Sequence, residues 1–299
     1  MRKKKSNLFK GLTMLVVLVV FGACYRRVPP PREVPMRIYT DDLGRSVKVP
    51  ENVGRVVSLA PNVTEMIFAV GAGDKLVGVT TFCDYPAEAR SIRKVGDTQK
   101  PNIETIVALK PQLVFVSTAS QLEAFANILD EQHIAVYVVG PKTLDDIYKS
   151  IEKLGEITGN LEKADNLVAG LKSRAEAARG PIVYGSLPRV FVQIDKDALY
   201  TVGRDSYITD IIDRAGGVSM TADLATAYPK ISRETALAMN PDVIIISESE
   251  NNKVPNEAFR NSPAVKNGRV YRINADLLSR PGPRVVDALE QIAGKLRIN

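Results

Sequence analysis

The chain has no tryptophan, one histidine and two cysteines among its 299 residues. A lone histidine has no partner at zinc-ligand spacing, and Cys24 and Cys83 do not form a metal-binding or redox pair. Also absent are a Gly-x-Ser-x-Gly elbow and a glycine-rich phosphate loop. Nothing assembles a nucleophilic, zinc or nucleotide site, so no catalytic residue, metal ligand or catalytic cofactor is expected and the chain is read as a non-enzyme. His133 lies in Asp130-Glu131-Gln132-His133-Ile134, where a helix should end ahead of a strand near Val136. Its expected role is a cation at that helix C-terminus. Cys83, beside an apolar strand, is expected to be a small buried hydrophobe.

A long apolar run is missing as well. The uncharged stretch Gly11 to Ala23 is 13 residues, short of the roughly 17–25 that a bilayer span needs. It follows Arg2, Lys3, Lys4, Lys5 and Lys10 and ends in Gly22-Ala23, the layout of a secretory signal over residues 1–23. Val20-Phe21-Gly22-Ala23-Cys24 resembles a bacterial lipobox, with Phe21 where such boxes usually carry leucine. The resemblance implies lipidation of Cys24 and an exported, membrane-anchored protein. Residues 1–23 hold five of the 40 basic residues and none of the 34 acidic ones, so the remainder carries 35 against 34. A nearly neutral body has no basic field for nucleic acid, and none is expected as a partner.

Residues 24–35 are rich in Pro and Arg, the composition of an extended tether. Arg37-Ile38-Tyr39 and Val47-Lys48-Val49 flank Asp41-Asp42-Leu43-Gly44 and read as a hairpin. Short apolar strands then alternate with helical patterns, which indicates parallel α/β structure. Strands are expected at Val56–Leu59, Leu76–Val79, Leu113–Val116, Val136–Val139, Val190–Ile194, Val243–Ile246 and Val270–Ile273. Asn62-x-x-Glu65 and Thr143-x-x-Asp146 resemble capping boxes that open helices, and a final helix is expected from Pro283. A long helix, about Leu161 to Arg179, has no strand signal inside it.

The two halves resemble each other. Residues 102–117 align without gaps on residues 232–247, matching Glu104 with Glu234, Thr105 with Thr235, Ala108 with Ala238, Pro111 with Pro241 and Ser117 with Ser247. A weaker echo pairs Thr64-Glu65-x-Ile67 before Gly71 with Thr209-Asp210-x-Ile212 before Gly216. The expected fold is α/β: two Rossmann-like lobes, residues 36–158 and 180–299, joined by one helix at 159–179.

Arg55-Val-Val-Ser-Leu-Ala-Pro-Asn-Val-Thr-Glu65, Phe82-Cys-Asp-Tyr-Pro86, Asn102 to Pro111 and Ile231-Ser-Arg-Glu234 resemble the helical-backbone class of ABC-transporter binding proteins. That class, class III of the periplasmic binding proteins, includes cobalamin, haem and ferric-siderophore binders. Phe82 to Pro86, Asn102 to Glu104, Pro229 to Glu234 and Pro283-Arg284 are most similar to the cobalamin binders.

The resemblance implies a monomeric substrate-binding lipoprotein in the periplasm or on the outer face of the membrane, partnered by an importer's permease dimer and ATPase subunits. It implies that Phe82, Tyr200, Tyr228, Asp276 and Arg280 face a cleft for cobalamin or a related corrinoid, carried as cargo. It implies that Glu104 and Glu234 dock onto the permease, and that closure on the ligand is small. Thr98 and Tyr228 stand where the cobalamin binders have tryptophans. The alternatives left open are a haem or ferric-siderophore binder on the same scaffold, with Tyr85 or Tyr228 as an axial group for haem, a cell-surface enzyme with duplicated lobes, and an adhesion module.

Overall fold

The structure is a computed structural model that describes residues 34–118, 128–179 and 187–297. The signal segment and Cys24 lie outside the described residues, as does nearly all of the tether. Among the described residues, no helix is long and apolar enough to cross a membrane.

The chain opens with a hairpin, β1 (Met36–Thr40) and β2 (Ser46–Pro50), paired antiparallel around a turn in which Gly44 adopts a positive φ. Next come β3 (Val56–Ser58), α1 (Pro61–Ala69), β4 (Leu76–Val79), α2 (Ile103–Ala108), β5 (Leu113–Ser117), β6 (Ala135–Val139) and α3 (Leu144–Ile157). These strands form a parallel sheet in the order β4-β3-β5-β6. After the long α4 (Leu161–Arg179) follow β7 (Arg189–Gln193), α5 (Tyr207–Arg214), β8 (Val218–Ser219) and α6 (Arg233–Ala238). The chain closes with β9 (Val243–Glu248), α7 (Pro263–Lys266), β10 (Val270–Asn274), α8 (Ala275–Leu278) and α9 (Val285–Leu296). The second parallel sheet has the order β10-β9-β7-β8.

Numbered in chain order within itself, each parallel sheet has its strands in the order second, first, third, fourth. The sequence repeat falls on matching elements: residues 102–117 cover α2 and β5, and residues 232–247 cover α6 and most of β9. The inner strands β5 and β9 are near-continuous buried runs of branched residues, as a parallel sheet covered on both faces requires. The weaker echo falls on α1 and α5. Gly71 and Gly216 each follow the C-cap with a positive φ, the left-handed position that glycine fills without Cβ strain.

α4 packs on both α3 and α9. Its buried Ala164, Val168, Leu171 and Ala175 belong to an apolar cluster that runs through both lobes. The opposite faces of the two sheets carry separate clusters, one built around Phe115's neighbours Val114 and Val116 with Ile106, the other around Phe191 and Phe259. The fold is therefore α/β with two Rossmann-like lobes joined by a single long helix.

Two expected helix starts change. Thr143 caps α3 by accepting from Asp146 N at 3.1 Å, but Asn62 does not cap α1. Proline at the first position starts α1 two residues earlier, at Pro61 behind Ala60 and without a side-chain cap. Pro fits there because the helix needs no donor from it. The final helix begins at Val285, two residues beyond Pro283.

Candidate functional site

A cavity of about 910 Å³ takes its walls from both lobes. Ala60 and Pro61 follow β3, Ser117 and Thr118 end β5, Gly140 and Pro141 follow β6, and Ile194 follows β7. These are the carboxyl ends of parallel strands, where open α/β sheets place their ligands. The volume lies toward the upper end of the roughly 300–1,000 Å³ of small-molecule pockets.

The strongest electrostatic feature beside it joins the lobes. Glu65 of α1 is buried, with its side chain only 2% exposed. It accepts from Arg284 Nε at 2.8 Å and Nη2 at 2.6 Å, and from Arg280 Nη1 at 3.1 Å. Arg280 also pairs with Asp84 and Asp276, each at 2.8 Å. The Arg284 guanidinium lies over the Tyr85 ring at 3.9 Å. Burial pushes the Asp84 carboxyl up, but its hydrogen bond and charge pairing with Arg280 outweigh this and the net shift is down.

Of the residues expected to face the ligand, Tyr228 and Arg280 line the cavity; Phe82, Tyr200 and Asp276 do not. Phe82 is 59% exposed. Tyr200 is bridged to Asp195 and Lys230 through its backbone and is exposed. Asp276 holds Arg280 through an i,i+4 pair. Tyr228 is 43% exposed, and its hydroxyl lies against Ser206 and Tyr207; burial raises its pKa. Tyr207 in turn donates to Leu278 O at 2.9 Å. Thr98 also lines the cavity.

The sequence pattern missed Asp42, Lys142, Asp205 and Ser279 on the cavity wall. Lys142 and Asp205 pair across the lobes at 3.5 Å. Asp42 accepts from Gly140 N at 2.6 Å; partial burial of its carboxylate raises its pKa by more than this hydrogen bond lowers it, with lesser help from Asp146 and Asp41. Position after a strand end is the one signal that would have found Lys142.

Glu104 and Glu234 are exposed in the first turns of α2 and α6. Asn102 and Ser232 cap these helices, accepting from Thr105 N and Thr235 N at 2.8 and 3.0 Å. Each helix runs back to start the third strand of its sheet. Both carboxylates therefore stand at the strand-end side, one per lobe. His133 lines a second depression, formed with the hairpin and β6, and it takes a positive φ in a turn. Cys83 is buried, its Sγ 3.1 Å from the hydroxyls of Thr64 and Thr80. Among the described residues, no group of three or more His, Cys, Asp or Glu is arranged to hold a metal.

Residues 56–277 match the periplasmic binding protein family. A vitamin B12-binding protein of Vibrio cholerae is 33% identical over 246 residues, which cover 82% of this chain and 89% of that one. An uncharacterized ABC transporter substrate-binding lipoprotein of Bacillus subtilis, YvrC, is 31% identical over 307 residues, covering 97% and 96%. The crystal structure of the periplasmic vitamin B12-binding protein of Vibrio cholerae superposes with a TM-score of 0.72 at 32% identity, covering 83% of this chain and 98% of that one. A periplasmic heme-binding protein of Roseiflexus shares the fold, with a TM-score of 0.70 at 24% identity, covering 82% and 98%.

Proposed function

Because the chain belongs to the periplasmic binding protein family, as an ABC-type solute-binding protein, we propose that its solute is cobalamin or a related corrinoid. The observation that carries this is the charge state of the cleft. Arg280 is engaged by Glu65, Asp84 and Asp276, and Lys142 is paired with Asp205. Among the described residues that line the cavity, the two cations Lys142 and Arg280 are matched by the two carboxylates Asp42 and Asp205, so no excess of positive charge is present to draw the carboxylates of haem or of an acidic ferric chelate. A cleft of this kind suits a large, uncharged ligand with an apolar body and a polar rim.

An axial tyrosine for haem has little support. Tyr85 lies under Arg284, and burial raises the Tyr228 pKa, which opposes the phenolate that iron prefers. The vitamin B12-binding relatives at 31–33% identity support the corrinoid assignment further.

In this reading the protein is anchored through Cys24, holds the ligand against Tyr228 and Arg280, and presents Glu104 and Glu234 to a permease dimer with its ATPase subunits. It performs no bond chemistry. Titration of the body from Met36 onward with cyanocobalamin, cobinamide, haem and a ferric siderophore tests the ligand. Micromolar or tighter binding is expected for the corrinoids alone, and binding of haem alone overturns the assignment. Reversing Glu104 and Glu234 to arginine should leave ligand affinity near wild type while uptake is lost, because like charges facing each other across an interface cost several kcal/mol. Normal uptake by the double variant would remove the docking role.

A further inference from the structure

The β1–β2 hairpin lies outside both parallel sheets, yet its turn reaches the cavity. Asp41 locks that turn. Its buried carboxylate accepts from the backbone of Leu43 and Arg45 at 3.1 and 2.9 Å, and from the Arg45 guanidinium at 2.9 and 2.7 Å. The turn is fixed to the edge strand β6 as well. Tyr137 Oη donates to Thr40 O at 2.9 Å, and Asp42 N donates to Val138 O at 3.1 Å. Asp42 and Leu43, both exposed, are thereby held on the cavity wall.

Among the described residues, four charged ones line that wall: Asp42, Lys142, Asp205 and Arg280. Lys142 and Asp205 pair with each other, and Arg280 is engaged by three carboxylates. Asp42 forms no salt bridge among the described residues. Its Oδ2 accepts from Gly140 N, and its Oδ1 has no hydrogen-bond partner among the described residues. Asp41, not Asp42, closes the turn; the structural part of Asp42 is the single acceptor it offers Gly140 N, which an asparagine would supply as well.

We infer that Asp42 is a specificity-determining ligand contact, in which Oδ1 accepts a hydrogen bond from a primary-amide donor on the ligand's rim while Leu43 packs beside it. The inference rests on the corrinoid assignment, since a corrin ring carries a rim of such amides. A carboxylate there accepts from an amide through a charge-assisted bond. It repels a ligand in which that amide has become an acid.

The test is calorimetric titration of the wild type and of Asp42→Asn with cyanocobalamin and with each of its isomeric rim monocarboxylates. Asparagine keeps the shape and can still accept from Gly140 N; Asp42→Ala serves as a second variant, and unfolding curves check that both are folded. Wild type should prefer the neutral ligand over at least one monocarboxylate by about tenfold or more, and Asp42→Asn should lose about tenfold in affinity for the neutral ligand. The preference ratio decides the matter. A narrowing of about threefold or more for any isomer, in either variant, supports the contact, and a ratio that changes less than this for every isomer in both variants overturns it. Wild-type protein that takes no cobalamin overturns the corrinoid assignment and this inference together. Wild-type binding with an unchanged ratio overturns the inference alone.

Discussion

Two helices in equivalent places, α1 and α5, each carry a carboxylate that reaches into the opposite lobe, and the two contacts differ in burial, partner and charge. Glu65 on α1 takes Arg280 and Arg284, at the start of α9. Asp210 on α5 takes the backbone N–H of Leu144, at the start of α3, at 2.8 Å. Asp210 also pairs with Arg214 of its own helix, and Arg214 in turn reaches Asp145 across the lobes at 2.9 Å. The repeat thus sets where each lobe grips the other: first helix to last helix. It does not set how firmly. Glu65 is 2% exposed and satisfied by three charge-assisted bonds, whereas Asp210 is 23% exposed and takes one backbone donor and one surface arginine. On burial and bonding, the Glu65 side of the cleft should be the stiffer one and the Asp210 side the more compliant one.

The largest effect should come from Glu65→Gln. The variant leaves Arg284 without a carboxylate and takes one of three from Arg280. Breaking a buried pair typically costs about 3–5 kcal/mol. The guanidiniums retain 15–19% exposure and the amide keeps an acceptor, so a loss of about 2–3 kcal/mol is expected by urea denaturation. A loss below about 1 kcal/mol would remove the distinction between the two sides. Asp210→Ala should cost less, about 1–2 kcal/mol, since it forfeits one hydrogen bond to a backbone amide and one partly exposed pair. If the two variants cost the same, burial is not what separates the grips.

Much of this architecture can be read from the chain order alone, because it is periodic or local. The seven strands, the long α4 and the gapless repeat all rest on apolar spacing and on Pro or Gly breaks within about fifteen residues. The grips were not legible for the opposite reason. Glu65 reads locally as the glutamate of a capping box behind Asn62, yet Pro61 begins the helix and both side chains turn to the other lobe. The partners Glu65 and Arg284 are 219 positions apart, and no local pattern links them. Asp276 and Arg280 could be assigned to the ligand region by their place after β10, but not to an ionic network that leaves Asp276 off the cavity wall. Asp42 read only as a turn residue, since what brings it to the cleft is the docking of the hairpin on β6, a contact across 98 positions.

The smallest effect belongs to the outermost contact between the lobes. Lys142 and Asp205 meet at 3.5 Å with side chains 64% and 45% exposed, so water competes for both charges and two mobile side chains lose freedom in pairing. Exposed pairs of this kind contribute about 0–1 kcal/mol. The Debye length falls from about 10 Å at 0.1 M salt to about 3 Å at 1 M. Lys142→Met should therefore shift stability by no more than about 0.5 kcal/mol at low salt, and by nothing measurable in 1 M NaCl. Glu65→Gln, whose lost partners are buried, should keep most of its cost at the same salt, because buried pairs are screened far less. Unfolding both variants across a salt series separates these cases. Parallel curves would mean that the Glu65 network is as open to solvent as the mouth of the cleft, and the contrast between a stiff and a compliant side would fail.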